Sequence, residues 1–335
     1  MKHRYQSYQN DEDVTGINEI AYAFQKSKVL LTACELGIFN IIGDSEKSFK
    51  EVANEIEADE RATDRLLNAL CSLSYLNKQN NRFSNTLITK RFFVKGSQDY
   101  SGAMIHMLHL WDRWGTLTEA IKLGTSVKYD DISEKSEEWI DSYLTSMHWN
   151  AKLHAAELIE YINLNEVNRA LDLGCGSGVY GIEFVRAKHD ISVTCFDLPE
   201  IVPITQRYVD ESGFSSSIKV VGGDFFKDDI GKEYDLVFLS NVLQNYTIWE
   251  SLDLLKHMYS SLRIGGRLVV HERVSEEDRI HPTENALFSL NLLVNTKAGD
   301  TMTATDIWII MKESWFADIE RIDTSFNSSV IIGKK

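Results

Sequence analysis

The chain has 335 residues and a formal net charge of −15 at pH 7, with 43 % of its residues hydrophobic. That length accommodates two domains with large buried cores. The acidic balance argues against nucleic acid or an anionic membrane surface as a partner and suits a small-molecule substrate. Cys34, Cys71, Cys175 and Cys195 are scattered without a C-x-x-C pair. That spacing argues against a zinc site or a disulfide framework and fits a reducing cytoplasm. The N-terminus is polar, and no segment approaches the roughly 20 apolar residues of a membrane span.

Residues 1 to about 16 read as a polar arm. From Ile17 to about Phe39, apolar residues recur at helical spacing (Ile20, Phe24, Val29, Leu31, Ile38), with Gly37 as a stop signal near the end. Ser48-Phe-Lys-Glu51 has capping-box form and predicts a short helix to about Ile56. A third helix is predicted from about Glu60 to Leu76, with Leu66, Leu67, Leu70, Leu73 and Leu76 inward. Asn80-Asn-Arg-Phe-Ser-Asn85 reads as a hairpin tip beside short strands. Three helices and a β-wing form a winged-helix pattern, which admits DNA binding. The third helix, however, sets Arg61 and Arg65 against Glu60 and Asp64, so it is no basic reading head.

Residues 100 to about 165 are helical in pattern. Met104, Met107, Leu108, Trp111 and Trp114 form one apolar face; Tyr143, Met147 and Trp149 form another. Most of these side chains are expected to pack between elements. Trp111, Met147 and His148 are candidates to roof an aromatic-sized pocket. His106 and His109 stand three apart, but no acidic partner completes a metal motif, and no metal is expected.

The stretch from Arg169 to Gly181 reads as a buried strand, a glycine-rich turn and the start of a helix. Gly174, Gly176 and Gly178 let the backbone approach a ligand without an intervening side chain. The next strand ends at Asp197, where a carboxylate can accept both ribose hydroxyls. Gly176, Gly178 and Gly181 also match Gly-x-Gly-x-x-Gly, a weak signal for NAD. Two features favour another nucleoside cofactor. Asp172 lies inside the turn motif, and a third strand from Ile218 runs to Asp224 and Phe225, an acid and an aromatic suited to adenine.

This ordered set resembles the class I S-adenosylmethionine-dependent methyltransferases. Tyr234–Leu243 is similar to the family's fourth strand, and Leu262–Glu272 to the turn into its fifth. Phe288–Asn295 is similar to the substrate-side helix of the small-molecule O-methyltransferases, the caffeate and acetylserotonin group. The resemblance implies a doubly wound α/β, Rossmann-like methyltransferase domain over residues 166–335. It implies a winged-helix-like dimerisation domain over residues 1–100, hence a homodimer. Residues 101–165 become a helical linker that contributes to the substrate pocket. It further implies cofactor roles for Asp172, Gly174, Gly176, Gly178, Asp197, Leu198, Asp224, Phe225 and Ser240, and substrate contacts from Asn291 and Asn295 beside Trp111, Met147 and His148.

The chain departs from the family at two adjacent positions. Where the O-methyltransferases carry the histidine that deprotonates the substrate hydroxyl, this sequence has Gln244, and Asn245 replaces the adjacent acid. The acid ending the fifth strand is retained as Glu272. A glutamine amide exchanges hydrogen bonds but takes up no proton. A phenol of pKa about 10 is roughly one part in a thousand ionised at pH 7, and general-base catalysis supplies about 10²–10⁴ in rate. Three readings stay open: a nucleophile that is already reactive, another base (His148 or Glu272), or a cofactor-binding relative with non-methylating chemistry. A winged-helix regulator sensing a nucleoside is the alternative of another class.

Overall fold

A computed structural model describes residues 12–97 and 99–335. Residues 1–11 of the expected arm lie outside the described residues, and residues 12–16 already belong to the first helix, α1 (Glu12–Glu35). The chain divides into two compact units, one ending at Leu108 and the other starting at His109.

In the first unit α1 stops at Glu35, and Gly37 adopts a left-handed φ of 66° before α2 (Ile38–Ile42). The expected single helix through Phe39 is therefore two helices, because the glycine turns the chain and helicity resumes beyond it. β1 (Lys47–Ser48) leads into α3 (Phe49–Glu55), whose Ser48 cap and Glu51 form the reciprocal capping box. α4 (Glu60–Ser72) ends earlier than expected, since Ser74 takes a positive φ of 63° and Leu76 opens a strand. β2 (Leu76–Gln79) and β3 (Arg82–Asn85) are joined by Asn80-Asn81, at φ of 50° and 59°. Both tip residues are left-handed, as a two-residue hairpin of this hand requires, so the turn is tighter than the expected Asn80–Asn85 and Arg82–Asn85 belong to the strand. The sheet order β1-β3-β2 completes a winged-helix unit around buried Ile38, Phe39, Val52, Leu67, Leu70 and Phe83. α5 (Leu87–Phe93) follows.

α6 (Ala103–Trp114) crosses the division between the units. The second unit continues with α7 (Leu117–Leu123), α8 (Glu137–Lys152) and α9 (Ala155–Glu160). Then come β4 (Arg169–Leu173), α10 (Val179–Ala187), β5 (Ser192–Asp197), α11 (Val202–Ser212) and β6 (Ile218–Gly222). β7 (Tyr234–Ser240), α12 (Ile248–Ser261), β8 (Leu262–Glu272), α13 (Thr283–Asn295), α14 (Ala304–Glu313), β9 (Ala317–Asp323) and β10 (Ser329–Lys334) complete it.

The seven strands lie in the order β6-β5-β4-β7-β8-β10-β9. β4 to β8 run parallel, and β10 is antiparallel to both β8 and β9. β7 is buried along nearly its whole length, as a central strand covered by helices on both faces must be. One face packs Phe184, Leu236, Phe238 and Val269; the other packs Leu171, Val237, Leu254 and Val270. The chain leaves β4 toward β5 on one side and returns to β7 on the other. That reversal opens a crevice at the carboxyl ends of the strands. Gly174, Asp197, Asp224, Ser240 and Glu272 all sit at or just beyond those ends.

Candidate active site

The glycine turn after β4 is held by the acids that the sequence singles out. Asp197 Oδ2 accepts from the Gly176 N–H at 2.7 Å, and its Oδ1 accepts from the Leu198 N–H at 2.8 Å. Asp172, fully inside, accepts from Gly181 N–H at 3.1 Å. Thr205 Oγ1 donates to the Gly176 carbonyl. Gly174 takes a φ of 67°, and a Cβ there would come within 2.8 Å of Val242 on the loop after β7. Burial pushes Asp172 up to about 7 and Asp197 up to about 6, against the hydrogen bonds that favour their charged forms.

α8 lies over this turn. Leu144 approaches the Gly176 Cα side, and one helical turn later His148 Nδ1 shares a 2.9 Å hydrogen bond with Ser177 Oγ. The His148 ring stacks on Tyr208 of α11 at 4.1 Å, and burial lowers its pKa to about 4. Leu198 packs with Ile140, Tyr143 and Leu144, again beneath α8. On the far side, Asp224 accepts from the Phe226 N–H and pairs with Lys227 at 2.7 Å, which keeps its carboxyl below the usual range. Phe225 is buried and meets Tyr246 edge to face.

The short helical turn Leu243–Asn245 carries Gln244, which is buried. Its carbonyl accepts from Asp300 N–H at 3.1 Å, and a Cβ on Gly299 would come within 2.6 Å of the same oxygen. Its side-chain Oε1 is buried and has no hydrogen-bond partner among the described residues. Glu272 reaches under this turn: Oε1 accepts from Leu243 N–H at 2.8 Å, while Oε2 is left unpartnered. Burial pushes Glu272 up to about 8, despite the N–H groups of residues 242–244 facing it. Ser240 Oγ is shared with His271 Nδ1 at 2.9 Å and accepts from Asn241 Nδ2, so its hydroxyl is turned into a buried network that continues to Ser328. On α13, Asn291 Oδ1 accepts from Trp114 Nε1 at 3.0 Å, and Asn295 Nδ2 donates back to the Asn291 carbonyl at 2.7 Å. Trp111 and Met147 are half-buried on α6 and α8. Among the described residues, no group of His, Cys, Asp and Glu side chains gathers into a metal site.

The profile of the O-methyltransferase domain matches residues 121–317, and that of the O-methyltransferase dimerisation domain matches residues 18–95. The chain belongs to the O-methyltransferase family. It is 29 % identical to the acetylserotonin O-methyltransferase of Gallus gallus over 95 % of this chain and 96 % of that one. It is 27 % identical to the 3-hydroxy-5-methyl-1-naphthoate 3-O-methyltransferase of Streptomyces sahachiroi, over 84 % of each. The crystal structure of human N-acetylserotonin methyltransferase in complex with S-adenosylmethionine superposes with a TM-score of 0.85, at 25 % identity, covering 98 % and 99 % of the two chains.

This O-methyltransferase is an S-adenosylmethionine-dependent enzyme with an N-terminal dimerisation domain. Its residues fit the cofactor. The turn at Gly174 has no room for a side chain, Asp197 offers buried carboxylate oxygens at a strand tip, and Phe225 offers a ring beside Asp224. Several residues of this family member were not singled out from sequence. Tyr246 links the Phe225 side to the Gln244 turn, and Trp114 holds Asn291. Leu144 and Thr205 secure the glycine turn. A tyrosine two residues past Gln244 was the available signal for the first; the others depend on which helix crosses which strand tip.

Proposed function

We propose that this methyltransferase acts on a small aromatic metabolite whose nucleophilic atom ionises without a histidine base. Bound S-adenosylmethionine supplies an electrophilic methyl group at the carboxyl ends of β4 and β7. Methyl transfer is a one-step displacement, so alignment of acceptor and donor supplies most of the acceleration. Asp197 and Asp224 with Phe225 hold the adenosine portion, and Gly174, Gly176 and Gly178 admit the rest. Gln244 presents an unpartnered amide oxygen that orients the acceptor. Asn291 and Asn295 line the acceptor side together with Trp111 and Met147.

The observation that carries this reading is the engagement of the two remaining candidate bases, Glu272 and His148. One oxygen of Glu272 is engaged by the Leu243 backbone, and burial, which pushes the group up to about 8, favours its protonated form. It positions the turn and is no ionised base for the reaction. His148 is engaged with Ser177 and Tyr208 and, near 4, is a weak base as well. The test is the pH profile of S-adenosylhomocysteine release with a panel of hydroxylated aromatic acceptors. Gln244→Ala should lower turnover by less than about the 10² that loss of a true base would cost, with an unchanged profile. An activity limb near pH 8 that disappears in Glu272→Gln would instead make Glu272 the base.

The same reading makes the enzyme a cytoplasmic homodimer without a nucleic-acid role. α4 mixes Glu60 and Asp64 with Arg61 and Arg65, and the chain is acidic overall. Among the described residues, no helix is long and apolar enough to cross a membrane.

A further inference from the structure

Arg273 follows Glu272 directly, at the carboxyl end of β8. Its guanidinium lies over the Phe288 ring, 4.9 Å from the centroid. Phe288 belongs to α13, and Glu284, Phe288, Asn291 and Asn295 fall at spacings of four, three and four on that helix, along one stripe. Arg273 thus faces the stripe that carries the two asparagines of the acceptor side. The backbone on either side of it is fixed: Glu272 grips Leu243, and the Val274 carbonyl accepts from the fully buried Asn285 at 2.9 Å.

What Arg273 lacks is a hydrogen-bonded anion. It makes no hydrogen bond or ion pair among the described residues, although it is half-buried and burial disfavours its charge. Glu284 is exposed and acts on it only through its field. The other carboxylates at this end are committed elsewhere, since Asp300 and Asp306 both pair with Arg279. Arg267, on the same strand, has Glu166, Glu320 and Asp235 around it. A cation over an aromatic face gains a little there. A planar guanidinium fork with both edges open is shaped for a carboxylate, which it can bind through two parallel hydrogen bonds.

We propose that Arg273 is a specificity-determining residue that binds an ionised carboxylate on the methyl acceptor, so that the acceptor is an aromatic acid anchored beside Phe288 with its nucleophile turned toward Gln244. This rests on the methyltransferase reading above and goes beyond it by fixing the charge of the acceptor. It also accounts for how a small molecule is held in line without a catalytic histidine: the carboxylate end is clamped, and the other end is oriented.

The test uses the full-length protein saturated with S-adenosylhomocysteine and a matched pair of probes, 1-naphthoate and 1-naphthamide, titrated by calorimetry. The acid should bind at least about tenfold tighter than the amide, since a charge-assisted bidentate pair outweighs a neutral contact. Arg273→Gln should shrink that preference to within about twofold, and Arg273→Lys should recover part of it, because a point charge lacks the fork. S-adenosylhomocysteine affinity should be the same in all three proteins, which also shows that the variants are folded. Equal binding of acid and amide by the native protein, no binding of either, or a preference that survives in Arg273→Gln overturns the proposal. No uptake of S-adenosylhomocysteine by the native protein would overturn the broader reading instead.

Discussion

Asp197 illustrates how a single residue can be read from its place in the sequence. An acid ending the strand after a glycine turn is placed by topology at the crevice, and its local backbone contacts follow from that placement. Both of its oxygens already accept one N–H each, from Gly176 and Leu198. Each oxygen has a second lone pair, so ribose hydroxyls can be added without breaking the turn. Asp197→Ala should weaken S-adenosylhomocysteine binding by about 1.5–3 kcal/mol, the usual loss for hydrogen bonds to a charged group. Calorimetry against pH sharpens this. With Asp197 at about 6, affinity of the native protein should fall as pH drops below that value, because the protonated carboxyl loses acceptor capacity. The alanine variant should show no such fall. An unchanged affinity removes Asp197 from the site. Tyr246 and Trp114 were not legible in the same way. Nothing local distinguishes a pocket aromatic from a core aromatic, and only the crossing of chain segments brings Tyr246 to Phe225 and Trp114 to Asn291.

At the scale of elements, the signals that succeeded were local ones. The Ser48–Glu51 capping box formed as expected and the hairpin turned where expected, though over Asn80-Asn81 alone, because each depends on bonds within a few residues. α1 shows the limit. Its apolar residues recur at helical spacing, yet Ile17, Ile20, Tyr22 and Phe24 are all more than half exposed in the single chain. Periodicity reports that a face wants cover and not what covers it. In a protein with a dimerisation domain matched over residues 18–95, the simplest cover is a second copy. Phe24→Arg should therefore shift the dimer toward monomer by sedimentation velocity. An unaltered sedimentation coefficient would show that α1 lies outside the interface.

For the whole molecule, the buried ionisable groups set the pH range of stability. Asp172, Asp197 and Glu272 have folded pKa values of about 7, 6 and 8, all above their ordinary carboxyl values. Between the ordinary and the raised value, the folded state holds a proton that the unfolded chain has released. Stability from these groups is thus greatest in acid and is lost as pH rises toward about 8. His148 and His271 are lowered to about 4 by burial, so the unfolded chain binds protons that the folded protein refuses between 6.5 and 4. Their contribution is lost as pH falls through that window. From the ordinary carboxyl range up to about pH 6.5 the two sets largely offset each other, and above it only the carboxyls act, so these groups predict a melting temperature that falls from about pH 6.5 to 8, with that fall reduced in Glu272→Gln. A melting temperature that rises from pH 6 to 8 would contradict the assignment of buried, protonated carboxyls.

The succession of strands and turns, and the acids Asp197 and Glu272 at two strand ends, were determined by the sequence itself, because each rests on residues near one another in the chain. Tertiary structure alone decided what the remaining groups do. It turned Ser240 into a network with His271, set Glu272 under the Leu243 backbone, moved His148 to Ser177, and left Arg273 without a hydrogen-bonded anion. The physical reason is that a polar side chain's role depends on which partner satisfies it. Those partners stand 29 to 31 positions away in three of these cases, and in the fourth the described residues supply none.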